Sequence, residues 1–199
     1  MDFKQRVHRE VINCATIYKS VFVDYDYLIY SSTFKEKPYY IVSASEDNYP
    51  HLTGVHSLIS AQDFYIRCLD GTLQETDFEI EGENKGSVRR KIKILPLLST
   101  LFSDKLYAEE SFSKGKIHCS LATSDDKLTL GFVDTTLLRP KTLLKSNELN
   151  PMNTVNITLV LRRNRGSEKF DTIIQGDVSE FNDLHPNIFL SHTKKNLSI

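Results

Sequence analysis

Phe3, Val7, Val11, Cys14 or Ala15, and Tyr18 recur at the spacing that lines one face of a helix, so residues 3–19 are predicted to form an amphipathic α-helix. Two aromatic and β-branched runs follow, Tyr27 to Ser32 and Tyr39 to Ser45, on either side of Lys35-Glu36-Lys37-Pro38. That pattern predicts two strands around a turn. Ser60 then offers an N-cap, with Asp63 three residues on, Phe64 and Cys68 one helical turn apart, and Asp70-Gly71 as the stop. Residues 72–80 suit a short extended piece and 81–86 a polar loop. Ser87 can cap a further helix, whose apolar stripe is Val88, Ile92, Leu95, Leu98 and Phe102. Pro96 should kink or interrupt it.

After about residue 106 the period changes from helical to alternating. Strands are predicted over 116–123, 127–134, 154–163 and 169–175. Ser124-Asp125-Asp126 and Asn164-Arg165-Gly166-Ser167 supply hairpin turns. Helices come first and a meander comes last, so the expected class is α+β, with helices packed on an antiparallel sheet. Residues 1–175 are expected to form one domain and 176–199 a C-terminal tail.

Bulk properties narrow the picture. With 199 residues, 40% of them hydrophobic, the chain can fill one core, and 26% charge argues against disorder. There is no Trp, so 9 Tyr and 11 Phe supply the aromatic packing. Cys14, Cys68 and Cys119 are an odd set without Cys-x-x-Cys spacing, which argues against a disulfide framework or a zinc knuckle. Met1-Asp2-Phe3-Lys4-Gln5-Arg6 lacks the apolar core of a signal peptide, and no apolar run reaches the roughly 20 residues of a membrane span. A cytoplasmic protein is expected. Net charge is −1, but it is unevenly spread. Residues 1–84 hold 7 Lys/Arg against 14 Asp/Glu, and residues 85–170 hold 16 against 8. A contiguous positive face on 85–170, meeting a polyanion, is the expectation.

Candidate chemistry centres on Tyr49-Pro50-His51-Leu52-Thr53-Gly54. Pro50 stiffens the segment, Gly54 permits a bend, and in an extended backbone His51 and Thr53 point to the same side. An imidazole beside a hydroxyl suits proton transfer. Lys141 and Thr142 fall in a predicted loop, Arg162 ends one strand and Lys169 begins the next. If the last strands share one sheet, Lys141, Arg162 and Lys169 could converge. His56 is a reserve acid–base candidate. There is no compact His/Cys/Asp/Glu ligand cluster, no glycine-rich phosphate loop and no serine-hydrolase elbow.

The His51 segment resembles the aromatic-x-His-Leu-Thr-Gly hallmark of a phage and prophage nuclease family with a proposed Barnase–EndoU–colicin–RelE-like (BECR) fold. Leu130-Gly131-Phe132 and Pro140-Lys141-Thr142-Leu143-Leu144 are similar to the family's Leu-Gly-Phe strand and its Pro-x-Ser/Thr-Leu-Leu segment. A late strand over 154–163 and Lys169-Phe170 follow in the same order. The resemblance implies an RNase-like fold and a metal-independent, toxin-like ribonuclease working by 2′-OH transesterification, with no cofactor. In that reading His51 transfers a proton, Thr53 and Thr142 position the phosphate, and Lys141, Arg162 and Lys169 stabilise charge. Expected partners are RNA (tRNA or mRNA) and an antitoxin or other phage protein, with no membrane. The alternative is a non-catalytic domain of the same fold that binds protein or nucleic acid.

Overall fold

The structure, a computed structural model, describes residues 1–102, 105–134 and 136–190. Helix α1 (Phe3–Tyr18) buries Val7, Val11, Cys14, Ala15 and Tyr18, the stripe its spacing predicts. Asp2 and Gln5 close a reciprocal cap at its start, each side chain accepting the other's backbone N–H. A π-helical turn, Lys19–Val23, leads into β1 (Tyr25–Tyr30), which pairs antiparallel with β2 (Tyr40–Ser43). After a five-residue helix, α2 (Tyr49–Thr53), come α3 (Ala61–Asp70) and α4 (Lys85–Ile94). Helix α3 has the expected Ser60 cap and a left-handed Gly71 at its end. Helix α4 starts at Lys85, two residues before the expected cap Ser87. Pro96 has no N–H and its ring crowds the carbonyl four residues back, so the helix tightens into a 3₁₀ turn over Leu95–Thr100. The stripe Val88, Ile92, Leu95, Leu98 and Phe102 is buried as its period predicts.

The remaining strands are β3 (Tyr107–Glu110), β4 (Leu121–Ser124), β5 (Leu128–Asp134), β6 (Leu138–Lys145), β7 (Val155–Asn156), β8 (Leu159–Asn164) and β9 (Thr172–Gly176). They join β1 and β2 in one sheet of order β7-β3-β4-β5-β6-β2-β1-β8-β9. The α+β class stands, but the sheet is mixed rather than antiparallel throughout: β6 and β2 run parallel, touching at Leu138–Val42. The N-terminal hairpin has inserted between the meander and the last two strands.

Two strands, β3 and β6, escape the sequence pattern. Burial alternates along β6 as far as Thr142; Lys141 is one residue too many opposite the Phe132–Gly131 step of β5, the register shifts between Pro140 and Thr142, and Thr142 and Leu143 are then buried in succession. Gly131 on β5 faces this irregularity; a Cβ there would lie 2.6 Å from Cys119 Sγ and 3.0 Å from Thr142 Cγ2, so only glycine fits.

The helices cover one face of the sheet, packing Tyr27, Ile29, Val42, Phe132, Leu143 and Val160 into the main core. On the opposite face Leu28, Tyr30, Leu159 and Leu161 are covered by Phe170 and by Phe181 of α5 (Ser179–Leu184). Residues 176–190 therefore pack onto the sheet; 191–199 lie outside the described residues. Cys14, Cys68 and Cys119 are buried free thiols, and burial pushes Cys14 and Cys68 up to about 11 and about 12.

Candidate active site

The His51 segment is helical, which corrects the extended turn expected from Pro50 and Gly54. Pro50 occupies the first turn, where a missing N–H is harmless. Tyr49 and Leu52 anchor the turn in the core, and Tyr49 Oη donates to Val11 O at 2.5 Å. Gly54 ends it with φ +79° and donates to Pro50 O. Residues two apart on a helix are turned by about 200°, so His51 and Thr53 point to opposite sides. His51 is exposed. Thr53 is fully buried; its hydroxyl donates to Pro50 O at 2.7 Å and accepts the Val55 N–H at 3.3 Å. Thr53 therefore closes the turn and presents no hydroxyl to a substrate.

Lys91 of α4 takes the place beside His51 that Thr53 leaves. Its Nζ donates to the His51 carbonyl oxygen at 2.7 Å. Its stem runs over Gly54, where a Cβ would lie 2.8 Å from Lys91 Cδ. Glycine is required by the left-handed backbone, and a Cβ there would also push the flexible Lys91 stem aside. The side chain is half-buried, and no carboxylate pairs with it among the described residues. Desolvation lowers the ammonium from its ordinary 10.5 to about 8. Sequence reasoning missed Lys91. The available signal was its position three after Val88 and four before Leu95, on the flank of the apolar stripe.

The shift has a measurable consequence. Folded Lys91 gives up its proton at about 8 and unfolded lysine near 10.5, so between these values the unfolded chain holds more protons and stability rises with pH. Below about pH 8 both states are charged and the burial penalty is complete. Lys91→Met should abolish this component: urea midpoints of wild type and variant should diverge as pH rises from about 8 to 10.5, the wild type gaining more. Parallel curves would show that the amine is solvated.

The other expected site residues do not assemble. Lys141 and Thr142 lie within strand β6, not in a loop. Helices α2 and α4 pack against that strand. Thr142 is nevertheless buried beside Gly131 and Cys119, and exposed Lys141 donates to His118 O at 2.9 Å. Arg162 lies over the Tyr25 ring, 4.3 Å from its centroid. The register runs Arg162–Tyr27–Val42–Leu138, so Arg162 stands three strand spacings, roughly 14 Å, from β6, with Lys141 three residues further along. Lys169 is exposed in the bend before Phe170. The insertion of β1 and β2 is what separates Lys141 from Arg162 and Lys169. His56 is exposed in a short ribbon pairing with Glu79. The positive face expected on 85–170 also divides. Five cations sit on α4, Lys114 and Lys141 belong to the opposite side of the sheet, and Arg163 and Arg165 at the end of β8 share the single carboxylate of Asp26.

A cleft of about 530 Å³ opens where β2 parts from β6, lined in part by Ser45, Glu46, Asp47, Gln62 and Arg139. The first three lead directly into α2. Arg139 makes no side-chain hydrogen bond or ion pair among the described residues, so its guanidinium is available there. Among the described residues no group of three or more His, Cys, Asp or Glu side chains is placed to hold a metal ion. No helix among them is long and apolar enough to cross a membrane.

Fold and site together define an α+β domain organised around a histidine-bearing helical turn with a lysine laid across it. The model of the family described as phage-Barnase-EndoU-ColicinE5/D-RelE like nuclease4 matches residues 10–180, and the chain belongs to that family. The family is, by its description, one of phage-associated nucleases of the BECR type. No curated protein and no solved structure matches the chain.

Proposed function

We propose that the chain is a ribonuclease of BECR-like fold that cleaves RNA by attack of the 2′-hydroxyl on the adjacent phosphorus. The observation that carries this reading is a half-buried ammonium, with no acidic partner among the described residues, that donates to the backbone carbonyl of a residue whose own imidazole is exposed on the α2 turn. The RNA brings its own nucleophile. The 2′-OH gives up its proton, its oxygen bonds to phosphorus, the P–O5′ bond breaks, and O5′ takes a proton. The products are a 2′,3′-cyclic phosphate and a 5′-hydroxyl. His51 is the proton-transfer group, since imidazole works near neutral pH. Lys91 stabilises charge building on the phosphoryl oxygens, and its half-buried setting strengthens that attraction over what water allows. Arg139, with Arg165 on the same cleft, is a second cation for the substrate, while Glu46 and Asp47 there limit how far a polyanion enters.

These roles replace those first given to Thr53, Thr142, Lys141, Arg162 and Lys169. A tRNA or mRNA substrate and a neutralising antitoxin agree with a toxin-like role. The dispersal of those five residues favours a second reading, a non-catalytic domain of the same fold binding protein or nucleic acid.

The test is incubation of the purified chain with a mixed RNA pool in EDTA, followed by end analysis. Cleavage leaving 2′,3′-cyclic phosphate, abolished by 2′-deoxy substitution at the cut nucleotide, is expected. Cleavage of DNA at the same rate, or products with 3′-hydroxyl ends, would refute transesterification.

A further inference from the structure

Helix α4 carries Lys85, Arg89, Arg90, Lys91 and Lys93 within ten residues and no acidic residue at all. None of the five makes an ion pair among the described residues. Lys85 and Arg89, and again Arg89 and Lys93, stand four apart, so like charges face each other along one stripe. Lys85 also sits at the helix N-terminus, where the dipole disfavours a cation. Each of these features weakens the helix, and no carboxylate among the described residues compensates them.

The stripe borders a groove of about 230 Å³ between α1 and α4, lined by Phe3, Arg6, Glu10, Arg89, Lys93 and Pro96. Glu10, the acid there, is engaged by Arg9 at 3.1 Å. Arg6 adds from α1 a cation that makes no ion pair among the described residues. The Arg89 guanidinium and Lys85 Nζ lie 5.2 and 5.5 Å from the centre of the Phe3 ring, which holds both heads in place. Beyond Phe3 a second cleft brings Asp2, Glu79 and Glu81 together with Lys4 and Lys85, so Lys85 stands at the edge of the surface, where these acids would repel a polyanion and bound it. On the other side Arg90 and Lys91 continue it to His51.

We propose that the exposed face of α4, with Arg6 of α1, is a docking surface for single-stranded RNA that feeds the strand to the His51 turn. Residues four apart on a helix are separated by about 6 Å along its axis, close to the separation of consecutive phosphates on one strand. Lys85, Arg89 and Lys93 thus match successive phosphates, and Arg90 leads the chain over the helix to Lys91. The choice of RNA rests on the ribonuclease reading, but the surface is tested by binding alone.

The probe is a fluorescently labelled 2′-O-methyl RNA oligonucleotide, which lacks the nucleophile and cannot be cleaved. Its affinity is measured by anisotropy at several salt concentrations for the wild type, for Arg89→Glu with Lys93→Glu, and for Lys116→Glu with Lys145→Glu, exposed positions away from α4, in a turn and at the end of β6, carrying the same charge change. The α4 pair should weaken binding by roughly 10-fold or more and flatten the dependence of log K on log salt by about 1.4, two phosphate contacts' worth. The reversal exchanges one like-charge pair at 89 and 93 for another and sets an acid four residues from Lys85, so the helix's internal charge balance changes little, and a melting curve confirms that the variant is folded. Equal losses in the two pairs would reduce the effect to net charge and overturn the surface. So would wild-type binding that resists salt, or competition by polyglutamate as effective as by RNA, which would point to an acidic protein partner instead. Absent cleavage with intact, α4-dependent binding would sink the ribonuclease reading and leave the surface standing.

Discussion

His51→Ala is expected to reduce RNA cleavage by roughly 10²-fold or more, the lower range for loss of a proton-transfer group. Folding should be preserved. The imidazole is exposed, and the hydrogen bond to Lys91 uses the His51 backbone carbonyl, which alanine retains. Exposed substitutions of this kind usually change stability by less than about 0.5 kcal/mol. A pH–rate profile should also lose the limb that belongs to the imidazole, which a purely structural role would not produce. A folded variant cleaving at the wild-type rate would remove His51 from the chemistry. One that unfolds would make the residue part of the turn's packing.

Asp26→Ala should be strongly destabilising, on the scale of a core truncation. Asp26 is 3% exposed and lies between two arginines, with Arg163 Nε donating to Oδ2 at 3.1 Å and Arg165 Nη1 placed 2.9 Å from Oδ1, the latter within ion-pair range but not aligned as a hydrogen bond. Arg165 also donates to Phe22 O at 2.8 Å and to Ala44 O, so it ties the π-turn after α1 to the end of β2. Arg163 lies over the Phe170 ring on the outer face. Removing one partner of a buried pair leaves the other charge uncompensated, at a cost of about 3–5 kcal/mol. Both arginines retain some solvent contact, which favours the lower end, about 3 kcal/mol. For a chain of this size that corresponds to a fall of roughly 6–12 °C in Tm. Urea unfolding should show it as a shifted midpoint at constant slope. A loss under about 1 kcal/mol would mean that desolvation cancels the attraction.

Much of the helical layer was legible in the sequence. The Val7–Tyr18 stripe, the Ser60 cap, the Gly71 stop and the break at Pro96 all act within a few residues of themselves, through hydrogen bonds and side-chain spacing that the local sequence contains. The β1–β2 hairpin and the Ser124–Asp126 turn are local for the same reason. Strand β6 was not legible, because a proline in its middle argues against a strand and only pairing with β5 across a register shift holds it extended.

For the site, the sequence determined that a histidine would be presented beside a left-handed glycine, and which family's segments the chain carries. It could not determine that the turn would coil into a helix. That follows from Tyr49 and Leu52 being drawn into a core built by distant residues, and it sends Thr53 inward while leaving His51 out. The sequence likewise left open where the strands would stand. Placing β1 and β2 between β6 and β8 is a long-range decision made by burial of both sheet faces, and it carries Arg162 and Lys169 away from Lys141. The same packing lays Lys91 over Gly54, 40 residues after His51 along the chain. Periodicity reports only what a residue meets within a turn or a pleat; which cation meets the histidine depends on how whole elements pack, and only the tertiary structure decides that.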